Sequence, residues 1–175
     1  MSWDRTKSNV QNKIRFSDSN IYLTQGFIGS TPEKLTTTLG REGSDYSAAI
    51  LAHCLNAENV TIWKDVPGVL NADPKYFDST VKIDTLTYHD AIELAYYGAS
   101  VIHPKTIKPL QNKNIKLHVK SFVNPAADGT VVFDCEVKSP IPSFIFKLNQ
   151  TLITISPKDF SFIAEENLRD IFHIF

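Results

Sequence analysis

The 175-residue sequence has only two cysteines, Cys54 and Cys135, and neither stands at a metal-ligand spacing. Cys54 lies within AAILAHCL, where a thiol behaves as a small hydrophobe, and no structural disulfide is expected between them in a cytosolic chain. His53, His89, His103, His118 and His173 form no H-x-x-x-H pair, so no transition-metal site is expected, and no nucleophile–base pair emerges. Neither sign of charge is in excess. Eighteen basic against 19 acidic residues leave a net charge of −1, which argues against nucleic acid or an anionic membrane as partner. The lysines between Lys105 and Lys120 alternate with apolar residues and read as the solvated faces of a helix and a strand. No apolar run approaches the ~20 residues that span a bilayer, and the opening MSWDRTKSN is polar, unlike a secretory leader. A cytoplasmic location is therefore expected. What is present is ordinary: 42% hydrophobic and 21% charged residues, the balance of a globular domain.

The most informative run is TTTLGREGSDYSAA, from Thr36 to Ala49. Gly40 and Gly43 permit a tight turn and a close approach of backbone to a ligand. Ser44 or Asp45 is positioned to cap the helix that follows, and a helix start attracts an anion. Arg41 adds a planar fork of donors suited to a carboxylate or phosphate. The alternative at this point is a surface loop with an ordinary cap.

Periodicity supplies the frame. Trp3, Val10 and Ile14 share a helical face, and Ile21 to Ile28 reads as a buried strand. Ala48, Ala49, Leu51, Ala52 and Leu55 recur at helical spacing, and Val60 to Trp63 forms a short apolar strand ended by Asp65-Val66-Pro67-Gly68. Thr87 and Asp90 resemble a capping box, opening a helix that runs through Tyr97 and ends at Gly98. Pro104 suits the first turn of another helix, and Ile115 to Phe122 and Gly129 to Phe133 read as closing strands. Alternating strands and helices predict an α/β fold, a mainly parallel sheet covered on both faces. VKSPIP breaks regular structure between Glu136 and Pro142. Beyond it, Phe144 to Ser156 alternates like a strand, and Phe162, Ile163, Leu168, Ile171, Phe172 and Phe175 mark a helical apolar face.

Four ordered stretches carry a resemblance. TTTLGREGSDYSAAIL, IWKDVPGVLNADPK (62–75), AIELAYYGASVIHPKTIKPL (91–110) and VNPAADGTVV (123–132) resemble the aspartate kinases of the amino-acid kinase superfamily. Other members of that superfamily phosphorylate glutamate, acetylglutamate, carbamate or UMP. The resemblance implies a three-layer α/β/α catalytic domain followed by ferredoxin-like ACT units. Residues 1–136 would be the C-terminal portion of the catalytic domain, and 137–175 an incomplete ACT strand and helix. The family's glycine-rich Lys-Phe-Gly-Gly loop does not occur in the sequence, so the chain is expected to be part of a longer enzyme and inactive alone.

The implied ligands are ATP, Mg²⁺ and L-aspartate, with a homo-oligomer expected of the full-length enzyme. Arg41 would hold the substrate α-carboxylate and Asp45 would face its amine and organise the site, with Thr37, Thr38 and Ser44 adding hydroxyls. Lys64, Asp65, Leu70 and Lys75 would line the ATP site. Lys64 stands where threonine is usual, and Ser100 where a nucleotide-reaching lysine is frequent. Aspartate's side chain, with a reference pKa near 3.9, is already ionised. It attacks the γ-phosphate without a general base, and the barrier is repulsion between anions. Alternatives are another amino-acid kinase, for glutamate or acetylglutamate, or a non-catalytic regulatory or assembly piece.

Overall fold

The computed structural model describes residues 1–98, 101–136, 141–158 and 165–174. Helix α1 (Trp3–Lys13) leads to a hairpin of β1 (Ile28–Ser30) and β2 (Thr36–Thr38), then to α2 (Gly43–Leu55) and β3 (Asn59–Lys64). There follow β4 (Thr85–Leu86), α3 (Tyr88–Tyr97), α4 (Pro104–Gln111), β5 (Lys116–Ser121), β6 (Thr130–Val132) and α5 (Glu165–Ile174). The main sheet has the order β3-β5-β6-β4. β3 runs parallel to β5 over six residue pairs, β4 runs parallel to β6, and β5 and β6 are antiparallel. The α/β class and the mainly parallel sheet stand as expected.

Exposure along the strands follows the pleat. Val60, Ile62, Leu117, Val119 and Val132 are buried, and join Ala49, Ala52, Ile107 and Leu110 of α2 and α4 in one core. The opposite face carries the exposed Trp63 with the half-buried Thr61, His118 and Lys120. Strands that alternate this way have one face packed and one open. Helical cover is thus seen on one face, and among the described elements no helical layer is seen on the other. Tyr88, at the start of α3, is buried and donates its hydroxyl to the Ile115 carbonyl at 2.7 Å, joining α3 to the entry of β5. α1 docks on α2 through the Trp3–His53 ring contact at 4.6 Å and a bond from Gln11 Nε2 to the Cys54 carbonyl.

Helix limits follow the sequence signals closely. Thr87 Oγ1 accepts the Asp90 N–H, and Gly98 closes α3 with φ 127°. Pro104 opens α4, where His103 Nδ1 accepts the Lys105 N–H. The expected buried strand over Ile21 to Ile28 is corrected. Only Ile28 joins a strand, while Ile21 and Leu23 are 83% and 99% exposed. No described element covers their side chains, and apolar character alone does not bury a segment. The strand expected over Phe144 to Ser156 is likewise absent, because no described segment pairs with it. α5 forms, with Leu168, Phe172 and Ile174 exposed. Phe162, Ile163 and Phe175 lie outside the described residues. No described helix is long and apolar enough to cross a membrane.

Leu117 and Val119, fully buried in β5, fill the centre of this core. Leu117→Ala is expected to lower unfolding free energy by about 2–5 kcal/mol, the cost of lost transfer energy plus a cavity. Urea denaturation of both proteins measures it.

Candidate functional site

The first motif leads through α2 into β3 and the second opens on β3, so the two meet at the end of that strand. α2 runs back along the sheet before β3, so its first turn lies beside the carboxyl end of β3. Helix α2 begins at Gly43, two residues earlier than a Ser44 cap requires. Glu42 takes the cap position in a left-handed conformation, φ 53°, and makes no side-chain cap bond. Ser44 and Asp45 therefore sit within the first turn, and their expected role as caps is corrected. Gly43 is required by packing: a Cβ there would lie 2.7 Å from the Phe27 ring. Phe27 is tied to the same turn, since its N–H donates to Ser47 Oγ and its carbonyl accepts the Leu39 N–H.

Asp45 and Lys64 meet. Lys64 Nζ donates to Asp45 Oδ2 at 2.6 Å, with the two side chains 23% and 15% exposed. The pair joins the Thr36–Ala49 motif to the strand that opens the second motif. The bond is short and charge-assisted, and both side chains stay partly open to solvent. Thr37 and Thr38 lie exposed on β2, and Ser44 is exposed at the start of α2. Arg41 is exposed in the turn before the helix and has no hydrogen-bond or ion-pair partner among the described residues. Asp65, exposed just past β3, likewise has none. Leu70 is half-buried and bridges to Lys82, while Lys75 is exposed and its backbone N–H donates to Asp73 Oδ1. The structure thus brings Lys64 and Asp45 into contact and leaves the other charged side chains open to solvent. Ser100 lies outside the described residues.

The loop after β3 is held from below by a residue that sequence reasoning missed. Thr130, fully buried on β6, accepts the Val69 N–H at 2.8 Å and donates to the Ile83 carbonyl at 2.6 Å. Gly68, with φ 147°, passes so close that a Cβ would lie 2.6 Å from Thr130 Oγ1. Gly129 approaches closer still, since a Cβ would lie 2.1 Å from the Val119 carbonyl oxygen. The signal for both was Asp128-Gly129-Thr130 in the fourth motif, a turn whose glycine is dictated by contact. Asn71 is a second missed residue. Its N–H and Oδ1 bond Val81, its carbonyl accepts the Phe144 N–H at 2.7 Å, and Nδ2 donates to the Pro142 carbonyl.

Two further features lie apart from these residues. A groove of about 450 Å³ runs between β4, α3 and residues 141–145, and among the described residues none of the predicted site residues lines it. On α3, His89, Asp90 and Glu93 place ligand atoms within 4.8 Å of one another, at an exposed face where such clusters form without an ion. His118, on the open sheet face, titrates below the ordinary histidine range because of burial and then of Lys116 and Lys120. It is neutral at pH 7. Lys64 and the exposed Arg41 and Lys75 are cations and the exposed Asp65 is an open carboxylate, side chains of the types that bind anions and hydroxyl or amine donors.

The sequence model of the amino acid kinase family matches residues 3–121. The chain is similar to lysine-sensitive aspartokinase 3 of Escherichia coli, 42% identical over 139 residues, which cover 79% of this chain and 31% of that protein. It is 41% identical over 144 residues to the chloroplastic bifunctional aspartokinase/homoserine dehydrogenase 2 of Arabidopsis thaliana, covering 78% of this chain and 16% of the relative. Among solved structures it resembles E. coli aspartokinase III in complex with aspartate and ADP. That match has a TM-score of 0.63 and 45% identity over 66% of this chain and 26% of the other. The chain therefore spans about a third or less of the length of these relatives.

Thr130→Val keeps the shape of the side chain and removes both bonds. Unfolding free energy is expected to fall by about 1–3 kcal/mol, the cost of leaving a buried amide unsatisfied. Thermal denaturation measures the loss, and hydrogen exchange is expected to accelerate at the Val69 amide first.

Proposed function

We propose, from the premise that the chain belongs to the amino acid kinase family, that it supplies the nucleotide loop and part of the acceptor site of an aspartate kinase. That enzyme transfers the γ-phosphate of ATP to the β-carboxylate of L-aspartate, giving 4-phospho-L-aspartate. The observation that carries the reading is the 2.6 Å contact between Asp45 and Lys64, which unites an acceptor motif and a nucleotide motif at the carboxyl edge of β3. In open α/β sheets ligands bind at that edge.

In this reading Arg41 grips the α-carboxylate of aspartate in bidentate fashion, and Asp45 faces its ammonium group. Thr37, Thr38 and Ser44 add hydroxyl contacts around the carboxylate. Asp65 accepts from the ribose or adenine, Leu70 packs against the nucleotide, and Lys75 approaches the phosphates. Mg²⁺, when bound, would supply positive charge that offsets that of the phosphates. No residue is asked to take a proton, because the attacking carboxylate is already an anion. The protein's contribution is placement and neutralisation of two anions.

Residues 1–136 form the catalytic portion in this proposal, and 137–175 begin a regulatory unit that completes a homo-oligomeric enzyme. The chain alone binds nucleotide without turnover, as no glycine-rich lysine loop occurs in it. A hydroxamate assay with ATP, Mg²⁺ and aspartate is expected to read background on the 175-residue protein; turnover at the rate of a complete kinase would defeat that part of the proposal.

Two substitutions in the full-length enzyme test the residue roles. Arg41→Ala is expected to raise the KM for aspartate about 10- to 100-fold, the loss of one charge-assisted contact, with the KM for ATP little changed. Asp65→Ala is expected to weaken a non-hydrolysable ATP analogue in calorimetry while aspartate binding stays intact. Unchanged aspartate saturation in the first, or unchanged nucleotide affinity in the second, removes that residue from the site.

A further inference from the structure

We propose that Lys64 is a movable cation shared between Asp45 and the phosphates of the nucleotide, so that nucleotide binding uncovers the Asp45 carboxylate for the ammonium group of the substrate. The inference rests on the kinase reading above and assigns within it a task to the Lys64 side chain, whose contact with Asp45 spans 19 positions of sequence.

The geometry supplies each part. Lys64 is the last residue of β3, and the exposed Asp65 follows it into the loop where the nucleotide is proposed to bind. Its ammonium is not sealed in: 23% of the side chain is exposed, against 15% for Asp45. A flexible four-carbon stem lets such a group exchange partners without moving the strand. Asp45 offers one negative charge and a triphosphate offers several, so the phosphates compete well for the lysine. When the lysine leaves, Asp45 is not stranded. It sits in the first turn of a 13-residue helix, where free N–H groups and the helix dipole stabilise a carboxylate.

The consequence concerns order. While Lys64 holds Asp45, an internal ammonium occupies the position that the substrate's own ammonium is proposed to take. Aspartate must then displace the lysine, and a nucleotide that has already drawn the lysine away removes that cost. Binding of either ligand therefore favours the other, by the same factor in both directions.

Calorimetric titration of the 175-residue protein with a non-hydrolysable ATP analogue and Mg²⁺ tests the exchange. Lys64→Met is expected to raise the nucleotide Kd about tenfold, the range of one charge-assisted contact. Asp45→Asn is expected to lower it at least about threefold, because the lysine is then free before the nucleotide arrives. These opposite signs are the signature of a shared cation. If both variants weaken binding, the pair is a structural clasp and the proposal fails; if either leaves affinity unchanged, it fails as well. Should Lys64→Met not fold by circular dichroism, Asp45→Asn decides by its sign alone. L-aspartate titrated with and without the analogue gives the second arm. Tightening by nucleotide in the wild type, absent in Lys64→Met, upholds the uncovering of Asp45, and equal affinity in the wild type overturns it. Nucleotide binding that is lost in Asp65→Ala but unchanged in Lys64→Met would sink the shared cation and leave the kinase reading standing. A wild type that takes up no nucleotide would sink both.

Discussion

Parallel pairing of Asn59–Lys64 with Lys116–Ser121 imposes a crossover, because two parallel strands cannot be joined by a tight turn. The crossover here contains the loop after β3, α3 and α4, and it returns the chain to the same end of the sheet. With α2 entering β3 from above, the carboxyl edge of the strands collects the start of a helix and a Pro/Gly turn. Everything proposed for function depends on that convergence. The core beneath it is mainly apolar, with Ile107, Leu110, Leu117 and Val119 fully buried. Side chains packed at interior density do not yield easily, so the edge is presented by a rigid base.

The Asp45–Lys64 contact is better understood as a positional device than as a source of stability. Exposed pairs contribute little because water screens them, and sealed pairs recover their desolvation cost only with excellent geometry. This one lies between, with both side chains partly open to solvent. Its net contribution is modest, while its effect on where two charges rest is large. Thr130 does the opposite kind of work. It is fully buried with a donor and an acceptor both satisfied, and it fixes Val69 and Ile83 against β6. A movable charged pair above a fixed neutral clasp suits a site that must exchange ligands without losing its shape.

Much of the frame was legible because it is local. The Thr87 cap, the Gly98 stop, Pro104 at the first turn and the helical spacing after Gly43 all act within a few residues, and the structure has each of them. What sequence missed was set at a distance. Ile21 to Ile28 has the apolar content of a buried strand, but burial needs a covering neighbour that composition does not report. The cap at Ser44 or Asp45 was misplaced by two or three residues, because Glu42 turns left-handed and lets Gly43 begin the helix against Phe27. Asp45 and Lys64 were both read as site residues but their contact was not, since Lys64 reaches Asp45 from another element. Thr130 and Asn71 were invisible for the same reason: their partners come from other elements.

The second motif is also bound to the C-terminal segment. Tyr76 and Phe77 make three ring contacts with Phe144 and Phe146 at 5.7–5.9 Å, and Asn71 is bonded to Pro142 and Phe144. Aromatic pairs of this kind contribute about 0.5–1.5 kcal/mol each beyond their buried area. The loop that carries Leu70 and Lys75 is therefore tethered at two places, to β6 through Thr130 and to residues 142–146 through Asn71 and the rings. The first tether is buried and rigid. The second uses residues that remain half exposed, Phe144 at 54% and Phe146 at 57%, so it is the more open to water of the two.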